Sequence, residues 1–246
     1  PNGGFYSATD ADSPAPNGHD EEGLFFTWTP KEIDKVLKDK TQALLVKKFY
    51  GVTARGNFEG RTIFHVNQPL DHIARALDLS TEEAMDLIAD ARQRLYEVRL
   101  GRKPPILDDK IISAWNGLMI SAFAKASAVL SNPGYLERAE KSADFILNNL
   151  WDGQRLGRAW HGGKVRYQGY LDDYAFMIAG FLDLYEYSHN AKWLRAALSF
   201  QSVLDRDFSD KIGGYFFVAK ANDTLLARDK PDYDGAIPAG NSVAVL

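Results

Sequence analysis

Cysteine is absent from the 246 residues of this chain. Its absence excludes disulfide scaffolds, iron–sulfur clusters, cysteine-ligated zinc and thiol catalysis within this sequence. An excess of positive charge is also missing, because 29 Lys and Arg stand against 33 Asp and Glu, for a formal net charge of -4. Nucleic-acid phosphates are bound by clustered Lys and Arg, so we expect no nucleic-acid partner.

Long apolar runs and a leader sequence are missing as well. No run approaches the ~18 apolar residues of a membrane span, and the first four residues, Pro-Asn-Gly-Gly, do not resemble a signal peptide. We therefore expect a cytoplasmic protein without a membrane partner. Hydrophobic residues make up 45% and aromatic residues 12% of the sequence, a composition typical of a globular fold.

The two ends of the sequence are unusual, since a natural domain normally begins and ends in polar, flexible chain. The sequence opens on a Gly-Gly pair followed by a strand-like run, residues 5–8. It closes on residues 241–246, which have the pattern of a helix in its second turn. We interpret the chain as a fragment of a longer protein, truncated at both ends.

Capping signals place the elements of the first hundred residues. Two capping boxes, Thr29–Glu32 and Ser80–Glu83, predict helix starts, and the second helix should reach about Leu100. A short helix is predicted over 70–77. Residues 24–28 are rich in aromatic side chains and are predicted to form a strand.

After residue 104, strongly apolar helical segments alternate with amphipathic ones. The apolar segments are 111–130, 171–187 and a last helix near Pro238, and the amphipathic ones are 135–150 and 192–204. A segment that is apolar nearly all round is buried on both sides, whereas a one-sided segment covers the outside. The Gly-rich stretch 151–169 suits a β-hairpin or a long loop between helices.

This alternation predicts a mainly α fold. We expect a partial (α/α)6 toroid, in which inner helices form the core, outer helices cover them, and short β-hairpin excursions connect the pairs. Six helix pairs would close such a ring, and the sequence has room for about four. We therefore expect residues 1–246 to form a single toroid fragment.

An internal repeat supports the toroid. Each of three predicted inner-helix starts carries an Asp, followed seven positions later by Asn or Gly. The three pairs are Asp109 with Asn116, Asp173 with Gly180, and Asp234 with Asn241. Seven residues are almost two helical turns, so each pair would share one helix face. The starts of the inner helices would then meet at one rim of the ring.

Acidic residues at this rim are the first candidates for chemistry: Asp108, Asp109, Asp172, Asp173 and Asp234. Carboxylates at helix N-termini commonly cap free N–H groups. Carboxylates from several helices around one cavity could instead supply a general acid and a general base, as glycoside hydrolysis requires. We take Asp109 and Asp173 as candidate catalytic residues and the other three as candidate substrate contacts, with capping as the alternative for each.

An acidic loop, residues 10–22, adds Asp10 and Asp12 as candidate acid or base residues. Its acids occupy positions 1, 3 and 12 of a calcium-loop pattern, but Ala15 stands where the pattern needs Gly, and Pro14 blocks another ligand position. We expect no calcium, and either a loop that reaches the cavity or a solvated turn. The five His residues form no metal-binding pair, so no metal is expected.

Polar and aromatic side chains within the apolar helices are candidate substrate contacts. Asn116 and Asn241 must find hydrogen-bond partners where they are buried, either in a neighbouring helix or in a ligand. Trp115 and Tyr174 adjoin polar positions, and they either stack on a sugar ring or belong to the core. His161, in the predicted hairpin stretch, is the one histidine placed near the rim.

Five blocks of the sequence resemble the YyaL-like family, which includes the spermatogenesis-associated thioredoxin-domain proteins. The blocks are 3–13, 22–28, 108–119, 170–176 and 235–244, and the Asp-Asp-Lys…Trp-Asn-Gly block is quite specific. The resemblance implies an (α/α)6 region similar to six-hairpin glycosidases and acylglucosamine 2-epimerases. In the family a thioredoxin-like domain precedes this region, and we expect that domain to lie outside the present sequence.

Two functions remain open. The first is a carbohydrate-active toroid, a hydrolase or an epimerase, with a carboxylate-lined cavity and no cofactor. The resemblance implies that epimerases of similar fold use His as proton carriers, and His is sparse here, which favours carboxylate chemistry. The second is a non-catalytic module that binds a sugar or a peptide presented to the thioredoxin-like domain. The expected partners are a small carbohydrate and that covalently attached domain.

Overall fold

The computed structural model describes residues 3–15, 18–221 and 227–245. The sequence predicts one toroid fragment, whereas the structure divides into two compact units. The inserted unit is Thr9–Leu107, and the toroid unit joins the residues up to Ala8 to those from Asp108 onward. Helix is the main secondary structure of both units, as predicted.

Four helices are the main regular elements in the described part of the inserted unit. They are α1 (Pro30–Val36), α2 (Lys40–Phe49), α3 (Leu70–Ala76) and α4 (Thr81–Leu100). Both predicted capping boxes are present: Thr29 and Ser80 each accept the N–H of the glutamate three residues later, whose carboxylate accepts the cap residue's own N–H. The predicted starts of α1 and α4 are therefore confirmed, and α3 occupies the third predicted helix.

Two features of the inserted unit differ from the sequence prediction. Residues 24–26 form a turn, and residues 24–28 contain no strand beyond the isolated bridge between Trp28 and Thr62. The guanidinium of Arg102 donates hydrogen bonds to three carbonyls of this segment, so a side chain satisfies the acceptors that a partner strand would use. The prediction also lacks α2, which Asp39 caps.

Short strands accompany these helices. β1 (Ala8–Thr9) and β4 (Leu107–Asp108) lie where the chain passes between the units. β2 (Asp12–Pro14) and β3 (Asp20–Glu22) pair antiparallel, so the acidic loop of the sequence is a small hairpin in its described part. Buried apolar side chains form the core beneath the helices and include Trp28, Ile33, Leu45, Val46, Ile73 and Ile88.

The described part of the toroid unit contains the predicted alternation of helices. The helices are α5 (Ser113–Val129), α6 (Pro133–Asn149), α7 (Leu171–Ser188), α8 (Ala191–Val203) and α9 (Gly240–Ala244), and a π-helical turn, Leu204–Phe208, extends α8. Nine residues of α7 are buried but only four of α8, which separates an inner from an outer helix. All five segments match the predicted ones in type.

The inner helices touch at glycines. A Cβ on Gly117 of α5 would lie 2.5 Å from the carbonyl of Phe176, and one on Gly180 of α7 would lie 2.7 Å from the carbonyl of Gly117. A Cβ on Gly240 of α9 would lie 2.5 Å from a carboxylate oxygen of Asp172. The arrangement is that of an (α/α) toroid, with two complete helix pairs and the start of a third in the described residues, fewer than the four expected.

A three-stranded antiparallel sheet stands beside the starts of the inner helices. It consists of β5 (Ile111–Ile112), β6 (Gly157–His161) and β7 (Lys164–Gln168), with Ile111 opposite Trp160. The hairpin predicted in this stretch is confirmed. Because β5 leads directly into α5, and β7 ends shortly before α7, the sheet presents its side chains near the N-termini of both helices.

The gapless Asp repeat does not coincide with the helices. Asp109 lies four residues before α5, Asp173 is the third residue of α7, and Asp234 lies six residues before α9. Asp109 and Asp234 are therefore outside the helices that contain Asn116 and Asn241. The prediction that each Asp shares a helix face with the residue seven positions later is wrong for α5 and α9.

Candidate functional site

Asp173, a predicted catalytic residue, is wholly buried and caps helices. Its Oδ1 accepts the N–H of Ala114 in the first turn of α5, and its Oδ2 accepts the N–H of Tyr170 and a guanidinium N–H of Arg158. Burial raises its pKa to about 6, while these donors and the charge of Arg158 act in the opposite direction. The carboxylate joins the N-termini of α5 and α7, and at 0% exposure it offers no surface to a substrate.

Asp172, the neighbouring candidate, reaches in another direction. Its Oδ1 accepts the N–H of Gly240 at the start of α9, at 3.0 Å. The side chain is half-buried, and burial raises its pKa against the opposing effects of the Gly240 bond and of Arg158. Consecutive helix residues project ~100° apart, so the Asp-Asp pair of α7 ties that helix to the inner helix on each side.

Asn116 uses its entire hydrogen-bonding capacity within the chain. Its Oδ1 accepts the N–H of Phe5 at 2.7 Å and the hydroxyl of Ser142 at 3.0 Å. Its Nδ2 donates to the carbonyls of Phe5 and Ile112, at 3.1 and 2.9 Å. A side-chain amide has two donor hydrogens and two acceptor lone pairs, so nothing remains for a ligand.

Side chains of the other inner helices also bind earlier backbone segments, and we call this contact a backbone clamp. Asn241 accepts the N–H of Tyr215 at 2.8 Å and donates to its carbonyl at 2.9 Å. Phe5 and Tyr215 both follow a Gly-Gly pair, so that pair is the sequence signal for the clamp. In α7 the hydroxyl of Tyr174 accepts the N–H of Leu156 at 2.8 Å. The structural repeat is therefore a side chain of each inner helix that holds an earlier backbone segment.

Replacing Tyr174 by Phe tests the clamp. Phenylalanine keeps the ring, which packs against Phe200 and Phe208, but it leaves the buried N–H of Leu156 without an acceptor. We expect the free energy of unfolding to fall by about 1–2 kcal/mol in a urea titration followed by tryptophan fluorescence. Tyr167→Phe, at an exposed position, should change it by less than about 0.5 kcal/mol. Equal effects of the two substitutions would contradict the clamp.

A charged cluster at the tip of the β5–β6–β7 sheet remains accessible. Nε2 of His161 lies 3.2 Å from Oδ1 of Asp109, and the two side chains are 51% and 56% exposed. Nζ of Lys110 lies 3.0 Å from Oδ2 of Asp108. The bond from Lys110 lowers the pKa of Asp108, and the charge of His161 contributes. The structure thus brings three of the predicted site residues together.

Trp115, another predicted contact, lies on the surface. It is 43% exposed in the first turn of α5, between the buried residues Ala114 and Asn116. Because it is exposed, Trp115 is not one of the core aromatic residues, the alternative that the sequence left open. Because β5 leads directly into α5, Trp115 follows the charged cluster within one short stretch of chain, 108–115.

The remaining predicted site residues have local hydrogen bonds. Oδ1 of Asp234 accepts the N–H of Ala239 at 2.8 Å, and this bond, with one from Ser242, lowers the pKa of Asp234. Asp10 and Asp12 belong to the inserted unit, where both are exposed and Asp10 accepts the N–H of Asp12 at 3.2 Å. The bond of Asp234 therefore stabilises a turn before α9, and the bond of Asp10 stabilises the start of the small acidic hairpin.

Arg158 is a site residue that the sequence interpretation misses. It lies in β6, 3.1 Å from the carboxylate of Asp173, and its guanidinium lies 4.8 Å from the ring centre of Tyr170. About a third of the side chain is exposed, so it connects the buried carboxylate to the surface. The signal in the sequence is an arginine between the small residues Gly157 and Ala159 of β6.

Two kinds of site, a metal-binding group and a membrane-spanning helix, can be checked directly in the described residues. Within the described ranges there is no group of three or more His, Asp or Glu residues that could hold a metal ion. Searching the same residues for a helix long and apolar enough to cross a membrane identifies none.

Comparisons with known proteins assign the family. No family model matches the chain. Spermatogenesis-associated protein 20 is 36% identical in Homo sapiens and 35% identical in Mus musculus, over 98% of this chain in both cases. An uncharacterised protein of Caenorhabditis elegans is 32% identical, also over 98% of the chain. The chain belongs to the family of spermatogenesis-associated protein 20.

Membership in the spermatogenesis-associated protein 20 family confirms the resemblance seen in the sequence blocks. The chain spans about a third of the length of these relatives, 35% of the human protein. Two solved sugar epimerases overlap it more distantly. One, from a ruminal bacterium, has a TM-score of 0.45 and 18% identity, and covers 55% of this chain and 37% of its own. The cellobiose 2-epimerase of Bacillus thermoamylovorans has a TM-score of 0.40 and 10% identity, covering 85% and 50%.

Proposed function

We propose that the toroid unit binds a carbohydrate at the tip of its β5–β6–β7 sheet and exchanges protons with it through His161. The observation that carries the proposal is the 3.2 Å contact between His161 and Asp109, in which both side chains stay half exposed. A carboxylate bound to one imidazole nitrogen orients the ring. The other nitrogen is then free to exchange a proton with a substrate, as a general acid or base does.

Trp115 supplies the apolar part of the proposed site. A sugar ring has one face of C–H groups that packs on an aromatic ring, while its hydroxyls need charged or polar partners. The exposed indole of Trp115 and the carboxylates of Asp108 and Asp109 lie in one stretch of eight residues and provide both kinds of surface. The role of Asp172 and Asp173 in this proposal is to hold the inner helices together beside the site.

Binding without catalysis is the second candidate function. It is favoured by Asp173 and Asn116, whose polar atoms are used within the chain, so that these two inner-helix candidates add no catalytic group. In this version the unit is a sugar- or peptide-binding module. In both versions the relevant protein is longer than this chain, and we propose a covalently attached thioredoxin-like domain as its neighbour.

A saccharide screen with variants tests both candidates. Mono- and disaccharides are titrated into the chain while tryptophan fluorescence is followed, and products of hydrolysis or isomerisation are sought by NMR. We expect Trp115→Ala to weaken binding by about tenfold, equivalent to about 1.4 kcal/mol. His161→Asn should leave binding within about twofold and reduce turnover by roughly 100-fold or more. Tyr233→Ala, at another exposed aromatic, is the matched control.

The outcomes separate the candidates. Binding with turnover supports the proton-transfer site, and binding that is sensitive to Trp115 but shows no turnover supports the binding module. The proposal fails if no saccharide binds, or if Trp115→Ala and Tyr233→Ala affect binding equally.

A further inference from the structure

A groove in the inserted unit combines aromatic walls with arginines and has no part in the site described above. Its volume is about 640 Å³, and its lining runs from Trp28 and Tyr50 to residues 92–99 of α4. Pockets for small molecules typically measure roughly 300–1,000 Å³, with mostly apolar walls and a few polar groups. The volume and the lining of the groove fall within this range for small-molecule sites.

The floor of the groove is a set of stacked rings. Tyr50 and Phe64 lie with ring centres 4.7 Å apart and 9° between their planes. Trp28 also stacks with Phe64, with ring centres 6.2 Å apart and 21° between their planes. Packed rings have few rotamers to lose on binding, so they form a rigid apolar wall. A rigid ring can pack against such a wall with less loss of conformational entropy than a flexible chain.

Two arginines of α4 line this surface. The guanidinium of Arg99 lies 5.4 Å from the ring centre of Tyr96 and 5.8 Å from that of Phe26. Its Nε is buried without a hydrogen-bond partner in the described part of the chain, and an unpaired buried donor costs free energy. Arg92 is close enough to Tyr50 for its charge to lower the pKa of that hydroxyl, against the dominant rise from burial.

The charge of the groove is not compensated by the protein. The lining contains Arg92 and Arg99 but neither Asp nor Glu. Neither arginine takes part in an ion pair among residues 3–15, 18–221 and 227–245. By contrast, Arg94 and Arg102, which line a neighbouring cleft, pair with Asp90 and Glu32. Within its own lining, the groove therefore has positive charge that no carboxylate balances.

We infer that this groove binds a small anionic molecule that contains a planar ring. The ring stacks on the aromatic floor, and the carboxylate, sulfonate or phosphate group is held by Arg92 and Arg99. Arginine binds such groups through paired N–H donors. The inference concerns the inserted unit alone and does not depend on the carbohydrate site of the toroid unit.

A matched pair of fluorescent probes tests the inference on the full chain. 8-Anilinonaphthalene-1-sulfonate carries one negative charge, and N-phenyl-1-naphthylamine has nearly the same rings without it. We expect Arg92→Gln to weaken binding of the sulfonate by about tenfold, as expected for a lost charge-assisted hydrogen bond. Binding of the neutral probe should stay within about twofold, since the rings are unchanged. Arg55→Gln, at an exposed arginine outside the lining, should alter neither.

The remaining arms keep the test decisive. Arg92 is exposed and Gln is as good a helix former as Arg, so Arg92→Gln should keep the wild-type circular dichroism and melting temperature. Arg99→Gln repeats the binding measurement at the second arginine. Competition by benzoate and by phenyl phosphate distinguishes a carboxylate from a phosphate ligand. Equal affinity for both probes, or equal effects of Arg92→Gln and Arg55→Gln, would overturn the inference.

Discussion

We expect Asp173→Asn to lower the free energy of unfolding of the toroid unit by about 3–4 kcal/mol. The native carboxylate accepts three hydrogen bonds, from Ala114, Tyr170 and Arg158. Asparagine can accept at one atom only, so its Nδ2 would face at least one of these donors. Water cannot replace the lost acceptor, because the side chain of Asp173 is wholly buried. The expected effect is therefore that of breaking a buried charged pair. It lies at the lower end for such pairs because about a third of the Arg158 side chain reaches solvent.

Urea unfolding followed by tryptophan fluorescence measures this effect, because most tryptophans, Trp115 among them, lie in the toroid unit. Asp108→Asn is the matched control: its ion pair with Lys110 is exposed, and the substitution should cost less than about 0.5 kcal/mol. If Asp173→Asn is as stable as the control, the capping role is wrong. If it is stable and also loses turnover of a saccharide, Asp173 belongs to the chemistry.

We expect Gly117→Ala to lower the free energy of unfolding by about 3 kcal/mol, almost as much as Asp173→Asn. A Cβ at this position would lie 2.5 Å from the backbone carbonyl of Phe176, so α5 and α7 would have to move apart. Overpacking of a close backbone contact costs roughly 1–3 kcal/mol or more. Alanine is favoured over glycine in a helix by about 1 kcal/mol, so a loss of stability opposes the intrinsic preference and reports on the helix contact itself.

The same urea titration measures the Gly117→Ala effect. Gly101→Ala serves as control, since a Cβ there meets only the carbonyl of Val98 at 3.4 Å and the residue has a helical φ of -79°. We expect this control to lie within about 1 kcal/mol of the wild type. A Gly117→Ala protein of unchanged or increased stability would show that the two inner helices tolerate separation.

Local signals in the sequence account for most of the correctly predicted elements. The capping boxes at Thr29 and Ser80 determine helix starts through contacts three residues apart, and the apolar periodicity after residue 104 determines which helices are buried. The strand predicted over 24–28 fails because its carbonyls are satisfied by Arg102, more than 70 residues away in sequence. No local pattern encodes that interaction.

The candidate site shows the same limit. The sequence identifies Asp173 as a rim carboxylate, but its capping of α5 is a contact across 59 residues. Asn116 holds Phe5 across 111 residues. Such contacts decide whether a polar side chain is free for a ligand, and residue type and spacing do not determine them. The pairing of Asp109 with His161 is of this kind as well, which is why the two appear as separate candidates in the sequence.

We propose that the chemistry belongs to the exposed Asp109–His161 pair and that the buried Asp173 is structural. Comparing saccharide turnover by His161→Asn and Asp173→Asn, under conditions in which both proteins are folded, tests it most directly. We predict a loss of roughly 100-fold or more for His161→Asn, with the folded Asp173→Asn protein within about threefold of the wild type. Full activity of His161→Asn together with an inactive, folded Asp173→Asn protein would contradict the claim.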